Sequence, residues 1–199
     1  MGTELEWKLT VPEPGLLDTI LNWDGIRTRL AEKPRLWHMQ TTYYDTADRA
    51  LARRRITLRR RMENERSVLC VKAPLSGAAD CCLHGEWELQ GDDIAAALPR
   101  LVAMGAPEAL LGVGKPLPVC GADFHRRAAL LRFPDGSACE LALDRGTLFG
   151  PTRSEPLCEL ELELKAGDPA ATKALFRILQ TRFGLIPQAK SKFARAREL

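Results

Sequence analysis

Charged residues occupy every second position in several stretches of this chain. Glu4, Glu6 and Lys8 alternate with Leu5, Trp7 and Leu9, and Arg59 and Arg61 follow Ile56 and Leu58. Glu159, Glu161 and Glu163 alternate with Leu160, Leu162 and Leu164. A strand sends successive side chains to opposite faces, so each stretch has one charged and one apolar face. The same reading predicts strands at 3–11, 38–45, 54–62, 67–73, 84–90, 122–132, 138–145 and 157–165. Acidic and cationic strands with apolar backs suggest a barrel turned inside out, with a charged interior and helices covering the outside. Eight strands is also the count at which a closed barrel leaves room for side chains and a small ligand.

Helical spacing fills the intervals. Gly15 to Ala31 presents Leu16, Leu17, Ile20, Leu21 and Ile26, and Asp92 to Met104 presents Ile94, Ala95, Leu98, Leu101 and Val102. Asp168 is placed to cap a helix that has Pro169 at its first position and runs to Arg182, with Gly184 as the stop. The proline-bearing segment Gly105 to Val119 reads either as a domain boundary or as a crossover between two halves of one barrel. Carboxylate-bearing strands lie on both sides of it, which favours one domain over 1–199. The expected class is therefore α+β: an eight-stranded antiparallel β-barrel with helices packed outside.

Composition narrows the partners. The net charge of +3 is a small difference between 29 basic and 26 acidic residues, so placement matters more than the sum. No apolar run approaches the roughly 20 residues that span a bilayer. The start, MGTELEWKLTV, has no basic region leading into an apolar one, and Glu6 stands where a myristoylation signal needs Ser or Thr. A cytoplasmic protein with no membrane partner is expected. The six cysteines include the adjacent Cys81 and Cys82 but form no C-x-x-C pair, so they read as small apolar filler.

The charged faces carry the candidate chemistry. Glu4 and Glu6 are hard oxygen donors suited to Mg²⁺ or Mn²⁺, and Lys8 on the same face could neutralise a phosphate oxygen. Glu159, Glu161 and Glu163 repel one another unless cations sit opposite. Glu140 and Asp144 repeat the pattern around Leu141 and Leu143, and Glu86 and Glu88 do so around Trp87. The cations come from other strands. Arg49 to Arg61 holds seven arginines, of which Arg53, Arg55, Arg59 and Arg61 share a face with Thr57. Arginine's planar fork matches phosphate oxygens. Lys72 lies opposite Leu69 and Val71, and Lys190 and Lys192 follow Pro187. Either Arg126 or Arg127 faces inward, and the local pattern does not settle which. Alone, Glu4 to Lys8 would pass for a solvated sheet face, and the arginine run for a nucleic-acid patch. Acidic strands that balance the arginines, with no aromatics interleaved, argue against nucleic acid. The three histidines show no mutual ligand spacing, and neither a P-loop nor a nucleophile-elbow motif is present.

These residues resemble a known family. Glu4-Leu5-Glu6-Trp7-Lys8 is similar to the E-x-E-x-K signature of the CYTH, or triphosphate tunnel metalloenzyme, superfamily. The likeness continues through Tyr43-Tyr44-Asp45-Thr46, Leu58 to Arg61, Val71-Lys72, Glu86-Trp87-Glu88, Cys158 to Leu164 and Ser191-Lys192. Glu155 to Cys158, leading into the glutamate strand, is most similar to bacterial inorganic triphosphatases of that superfamily. The resemblance implies a tunnel binding a linear triphosphate with one or two Mg²⁺ or Mn²⁺ ions, in a monomer or homodimer. It implies metal ligation by Glu4, Glu6, Glu159 and Glu161, assisted by Asp144 or Glu163, with Glu140 on the same acidic wall. Lys8, Arg59, Arg61 and Lys72 would grip the phosphates, joined by Arg126 or Arg127, Glu86, Glu88 and Lys190, and Lys192 would close the C-terminal side. Glu4, Glu6, Lys8, Glu161 and Lys192 are the expected catalytic set. The implied activity is hydrolysis of inorganic triphosphate to pyrophosphate and phosphate. Alternatives are hydrolysis of thiamine triphosphate or a nucleoside triphosphate, cyclisation of ATP, or polyphosphate binding without turnover. His84 departs from the pattern, standing where many members carry arginine. The helical CHAD domain that follows in many bacterial relatives is not expected within 1–199.

Overall fold

The computed structural model describes residues 2–74 and 83–199. Cys81 and Cys82 lie outside the described residues. Eight long strands run antiparallel: β1 (Gly2–Thr10), β2 (Arg35–Asp45), β3 (Thr57–Glu63), β4 (Arg66–Pro74), β5 (Leu83–Gln90), β6 (Leu117–Arg132), β7 (Ala138–Phe149) and β8 (Ser154–Ala166). Their order is β5-β4-β3-β2-β6-β7-β8-β1, and a β1–β5 pairing closes the sheet into a barrel. A two-residue strand, β9 (Ile186–Pro187), adds to the end of β1.

The apolar faces point outward, as the alternation requires, and helices cover them. Leu9, Leu141, Leu143, Leu160 and Leu162 pack under α1 (Gly15–Asn22) and α5 (Pro169–Phe183), against Leu17, Ile20, Leu175 and Leu179. Leu58, Leu69, Val71 and Trp87 form a second core with Leu98 and Leu101 of α4 (Ile94–Ala103). Burial of a side chain of this size contributes about 1.5–3 kcal/mol, so these external cores are what hold a polar-lined barrel shut. The α5 boundaries follow the sequence signals: the Asp168 side chain accepts the Ala170 N–H, Pro169 opens the helix, and Gly184 stops it at φ 62°.

The differences from expectation have local causes. The helix read from 15 to 31 breaks at Trp23, whose extended backbone separates α1 from α2 (Asp24–Arg27). A Cβ at Gly25 would lie about 2.1 Å from the Trp23 ring, so only glycine lets the indole fold over the second turn. The strand read from 54 begins at Thr57 instead, because α3 (Ala50–Arg53) intervenes. The buried Asp45 carboxylate accepts N–H groups of Thr46, Leu51 and Ala52 and so ties the turn into α3 to the end of β2. Arg53 is therefore not on the inner face; it is exposed and pairs with Asp48 at 2.6 Å. The segment read as a boundary or crossover ends as the first residues of β6, which pairs with β2 through an irregularity at Tyr43/Tyr44. A last helix, α6 (Lys192–Arg197), capped by the Ser191 hydroxyl accepting from Ala194 N, was not expected. Among the described residues no helix is long and apolar enough to cross a membrane.

Candidate active site

The inner faces of all eight long strands, with α6, line one cavity of about 650 Å³. Glu4, Glu6 and Lys8 come from β1, Arg59 and Arg61 from β3, Lys72 from β4, and Glu86 and Glu88 from β5. Arg126 comes from β6, Glu140 from β7, Glu161 and Glu163 from β8, and Lys190 and Lys192 from α6 and the residues before it. Asp144 and Glu159 belong to the same face but lie behind Lys192, wholly buried.

The end of the cavity beside α6 is a closed ionic cluster. The Lys192 ammonium donates to Glu161 Oε1 and lies 2.8 Å from both that atom and Asp144 Oδ2; it donates to Glu159 as well. Arg126 grips Asp144 with two bonds of 2.8 and 2.7 Å and donates to Glu161 Oε2 at 2.5 Å. Arg195 donates to the other oxygen of Glu159. Three carboxylates are thus matched by three cations. Burial works against ionisation of Glu161, but Lys192, Arg126 and Lys8 outweigh it and hold its carboxyl well below the usual range. Burial likewise opposes the charge on Lys192, and the three carboxylates raise it well above an ordinary lysine.

The opposite wall is more open. Lys72 donates to Glu4 and lies 3.4 Å from Glu86, which also accepts from Arg59 at 3.1 Å and from the Cys70 thiol at 3.1 Å. Arg61 binds Glu63 and, at 3.1 Å, Glu88. Lys8 donates to Glu6 at 2.7 Å, and Lys165 pairs with Glu163 at 2.7 Å. Although burial opposes it, Lys72 and Arg59 pull Glu86 down to about 2. Burial leads in pushing Glu4 and Glu163 up, helped by Glu6 and Glu86 beside the first and Glu140 beside the second. The Nε atoms of Arg59 and Arg61 are buried without a hydrogen-bond partner. An orphaned buried guanidinium N–H costs free energy.

Arg127 is a correction. It lies on the outer face and binds Asp18 of α1, so it takes no part in the cavity; Arg126 is the inward residue. Lys190 stays half-exposed at the rim, paired with Glu198 at 2.6 Å. Sequence reasoning missed Glu63, Lys165 and Arg195. Arg195 was readable from its i,i+3 spacing to Lys192 behind a capping serine, which places both on one helix face. It also missed an apolar strip of Trp37, Met39, Phe124 and Ala128 on the β2/β6 wall.

The chain is a closed antiparallel barrel whose interior sets carboxylates against arginines and lysines. The sequence profile of the CYTH domain matches residues 2–196, and the chain belongs to that family. It is 30% identical over 142 residues to an inorganic triphosphatase of Haemophilus influenzae, an overlap of 70% of this chain and 39% of that protein. The chain thus spans well under half the length of this relative. Among solved structures, a putative adenylyl cyclase from Hippeastrum, described as having a dominant triphosphatase activity, superposes with a TM-score of 0.59 at 22% identity, covering 98% of this chain and 95% of that one. A Pyrococcus horikoshii protein gives 0.59 at 18% identity, covering 96% and 97%. A putative adenylate cyclase from Bacillus halodurans gives 0.56 at 18%, covering 98% of each. These likenesses establish the shared tunnel fold.

Proposed function

We propose that the chain hydrolyses inorganic triphosphate to pyrophosphate and phosphate with Mg²⁺ or Mn²⁺. The observation that carries this reading is the cavity wall itself. Arg59 and Arg61 line a cavity of about 650 Å³ together with the β1 and β8 glutamates. The donor set fits a hard cation: Glu4, Glu6, Glu161 and Glu163 present carboxylate oxygens to the cavity, while Asp144 and Glu159 lie fully buried behind Lys192. We therefore assign ligation to the first four, with Glu140 near Glu163, and assign Asp144 and Glu159 to anchoring α6.

When bound, the divalent ion would neutralise charge on the terminal phosphoryl group and lower the pKa of a coordinated water. The protein groups do the rest. Lys8, Arg59, Arg61, Lys72 and Arg126 hold the chain of phosphates and stabilise charge on its equatorial oxygens. An inner-face glutamate outside the ligating four accepts the proton of the attacking water. Water adds to the terminal phosphorus as its bond to the bridging oxygen breaks, and pyrophosphate leaves. Lys192 and Arg195 brace the Glu159 to Glu161 segment.

The test is phosphate release from inorganic triphosphate, ATP and thiamine triphosphate, each with Mg²⁺, Mn²⁺ or chelator. Release only with metal, fastest from inorganic triphosphate and lost in Glu161→Gln while the fold persists, supports the reading. Metal-independent release, or near-wild-type turnover in Glu161→Gln, refutes it. The strip of Trp37 and Met39 favours a second reading, an organic triphosphate whose ring rests on the indole. Trp37→Ala would then raise KM for the ring-bearing substrates and leave inorganic triphosphate unchanged.

A further inference from the structure

Two of the three histidines meet on the outside of the barrel. Trp37, Met39 and Thr41 of β2 and Phe124, Arg126 and Ala128 of β6 line the cavity, so the residues between them point away from it. His38 stands directly opposite His125 in the β2–β6 ladder, and Gln40 opposite Asp123. Directly opposed residues have Cβ atoms about 5 Å apart. The two imidazoles stack, with centroids 4.8 Å apart and planes 11° from parallel. His38 and Asp123 have side chains about two-fifths exposed, and His125 is exposed, so an ion can reach them.

The surroundings prepare His38 as a ligand. Its Nε2 lies 2.7 Å from Asp123 Oδ1, and the other Asp123 oxygen accepts from the Gln40 amide at 3.0 Å. An ionised carboxylate only accepts, so neutral His38 carries its proton on Nε2 and keeps a lone pair on Nδ1. A carboxylate holding the distal nitrogen in this way is the usual outer partner of a metal-bound histidine. The His38 backbone N–H is itself held by the Asn64 side chain at 2.9 Å. Arg145, opposite His125 on β7, is exposed, and solvent screens its charge.

We propose that His38 and His125 form a divalent transition-metal site, for ions such as Zn²⁺, Ni²⁺ or Cu²⁺, with Asp123 fixing the His38 tautomer. Two imidazole nitrogens suit these softer cations, whereas the oxygen-only cavity suits Mg²⁺ or Mn²⁺. The stacked rings need a rotation of one imidazole to bring both nitrogens onto one ion. Once bound, the ion ties β2 to β6 across the barrel wall. The site stands apart from the cavity and does not depend on its chemistry.

The untagged chain 1–199 is passed over immobilised Ni²⁺, and Cu²⁺ is titrated into it with electron paramagnetic resonance spectra recorded. The wild type is expected to be retained, with Cu²⁺ hyperfine splitting from two imidazole nitrogens. His38→Gln and His125→Gln should each elute in the flow-through and lose one nitrogen from the spectrum. Asp123→Asn should elute at lower imidazole than the wild type. His84→Gln, which alters the remaining histidine, should be retained like the wild type. Unchanged circular dichroism melts of His38→Gln and His125→Gln without metal show that lost retention is not unfolding. Wild-type protein in the flow-through, retention unaffected by either outer substitution, or retention lost with His84→Gln would overturn the proposal.

Discussion

Replacing Lys192 by methionine removes one ammonium from the centre of three buried carboxylates. Lys192 lies 2.8 Å from Asp144 and Glu161 and also binds Glu159. Arg126 and Arg195 remain, so three negative charges face two positive ones in a site of near-zero solvent exposure. Breaking a buried pair by deleting one partner typically costs about 3–5 kcal/mol, because the remaining charge is stranded without water. A chain of this size loses roughly 2–4 °C of melting temperature per kcal/mol, so a fall of about 10 °C is expected. The sign of the pH dependence follows from the same charges. In the wild type Glu161 is held low, so its contribution is present above the ordinary carboxylate range and is lost only as pH falls through its depressed value. In Lys192→Met the stranded carboxylate is pushed up, so lowering the pH protonates it and relieves the cost. Urea unfolding followed by circular dichroism at pH 7.5 and pH 5 measures both effects. The gap between variant and wild type should narrow at pH 5. A loss under about 1 kcal/mol at pH 7.5, or an equal gap at both pH values, would show that Lys192 does not neutralise this cluster.

Arg126→Ala should lower phosphate release by two orders of magnitude or more, on the scale of losing one preorganised charge contact, while Arg127→Ala stays within about twofold of wild type. Equal losses in the two variants would contradict the inward and outward assignment. Glu86, held at about 2 against an ordinary 4.5, contributes stability that is full above pH 4.5 and drains away as pH falls toward 2. Glu86→Gln should therefore flatten the decline in urea midpoint between pH 5 and pH 3, and an unchanged slope would refute the pairing with Lys72 and Arg59.

The two-faced strands β1 and β8 were legible because their charged positions are flanked by leucine or tryptophan that has to leave the water. Glu159 to Leu164 admits one strand orientation. Arg126 and Arg127 sit between His125 and a run of alanine and leucine, where either parity buries apolar side chains. The β6–β7 register decides the matter by setting Arg126 against Asp144, a long-range pairing that no local window contains. Arg53 misleads for the opposite reason: its spacing to Arg55 and Arg59 is strand-like, but Asp45 captures the backbone ahead of it and bends it into α3. The six residues of α6 are too few for helical periodicity to appear, yet they close the acidic cluster.

The first strand is also the one that shuts the barrel. β1 pairs with β5 through its opening residues, with β8 through the rest, and with β9 at its tip. β5 is made well before β8 and β9, so it is the β1 edge facing β8 that has no partner until residues 159–187 have been made. Contacts of such long sequence separation slow folding and prolong the exposure of open edges. The alternate charges that equip β1 for the interior also discourage those edges from pairing with another chain. The charged residues that line the finished tunnel thus fit the role of gatekeepers against edge-to-edge pairing of the unfinished barrel.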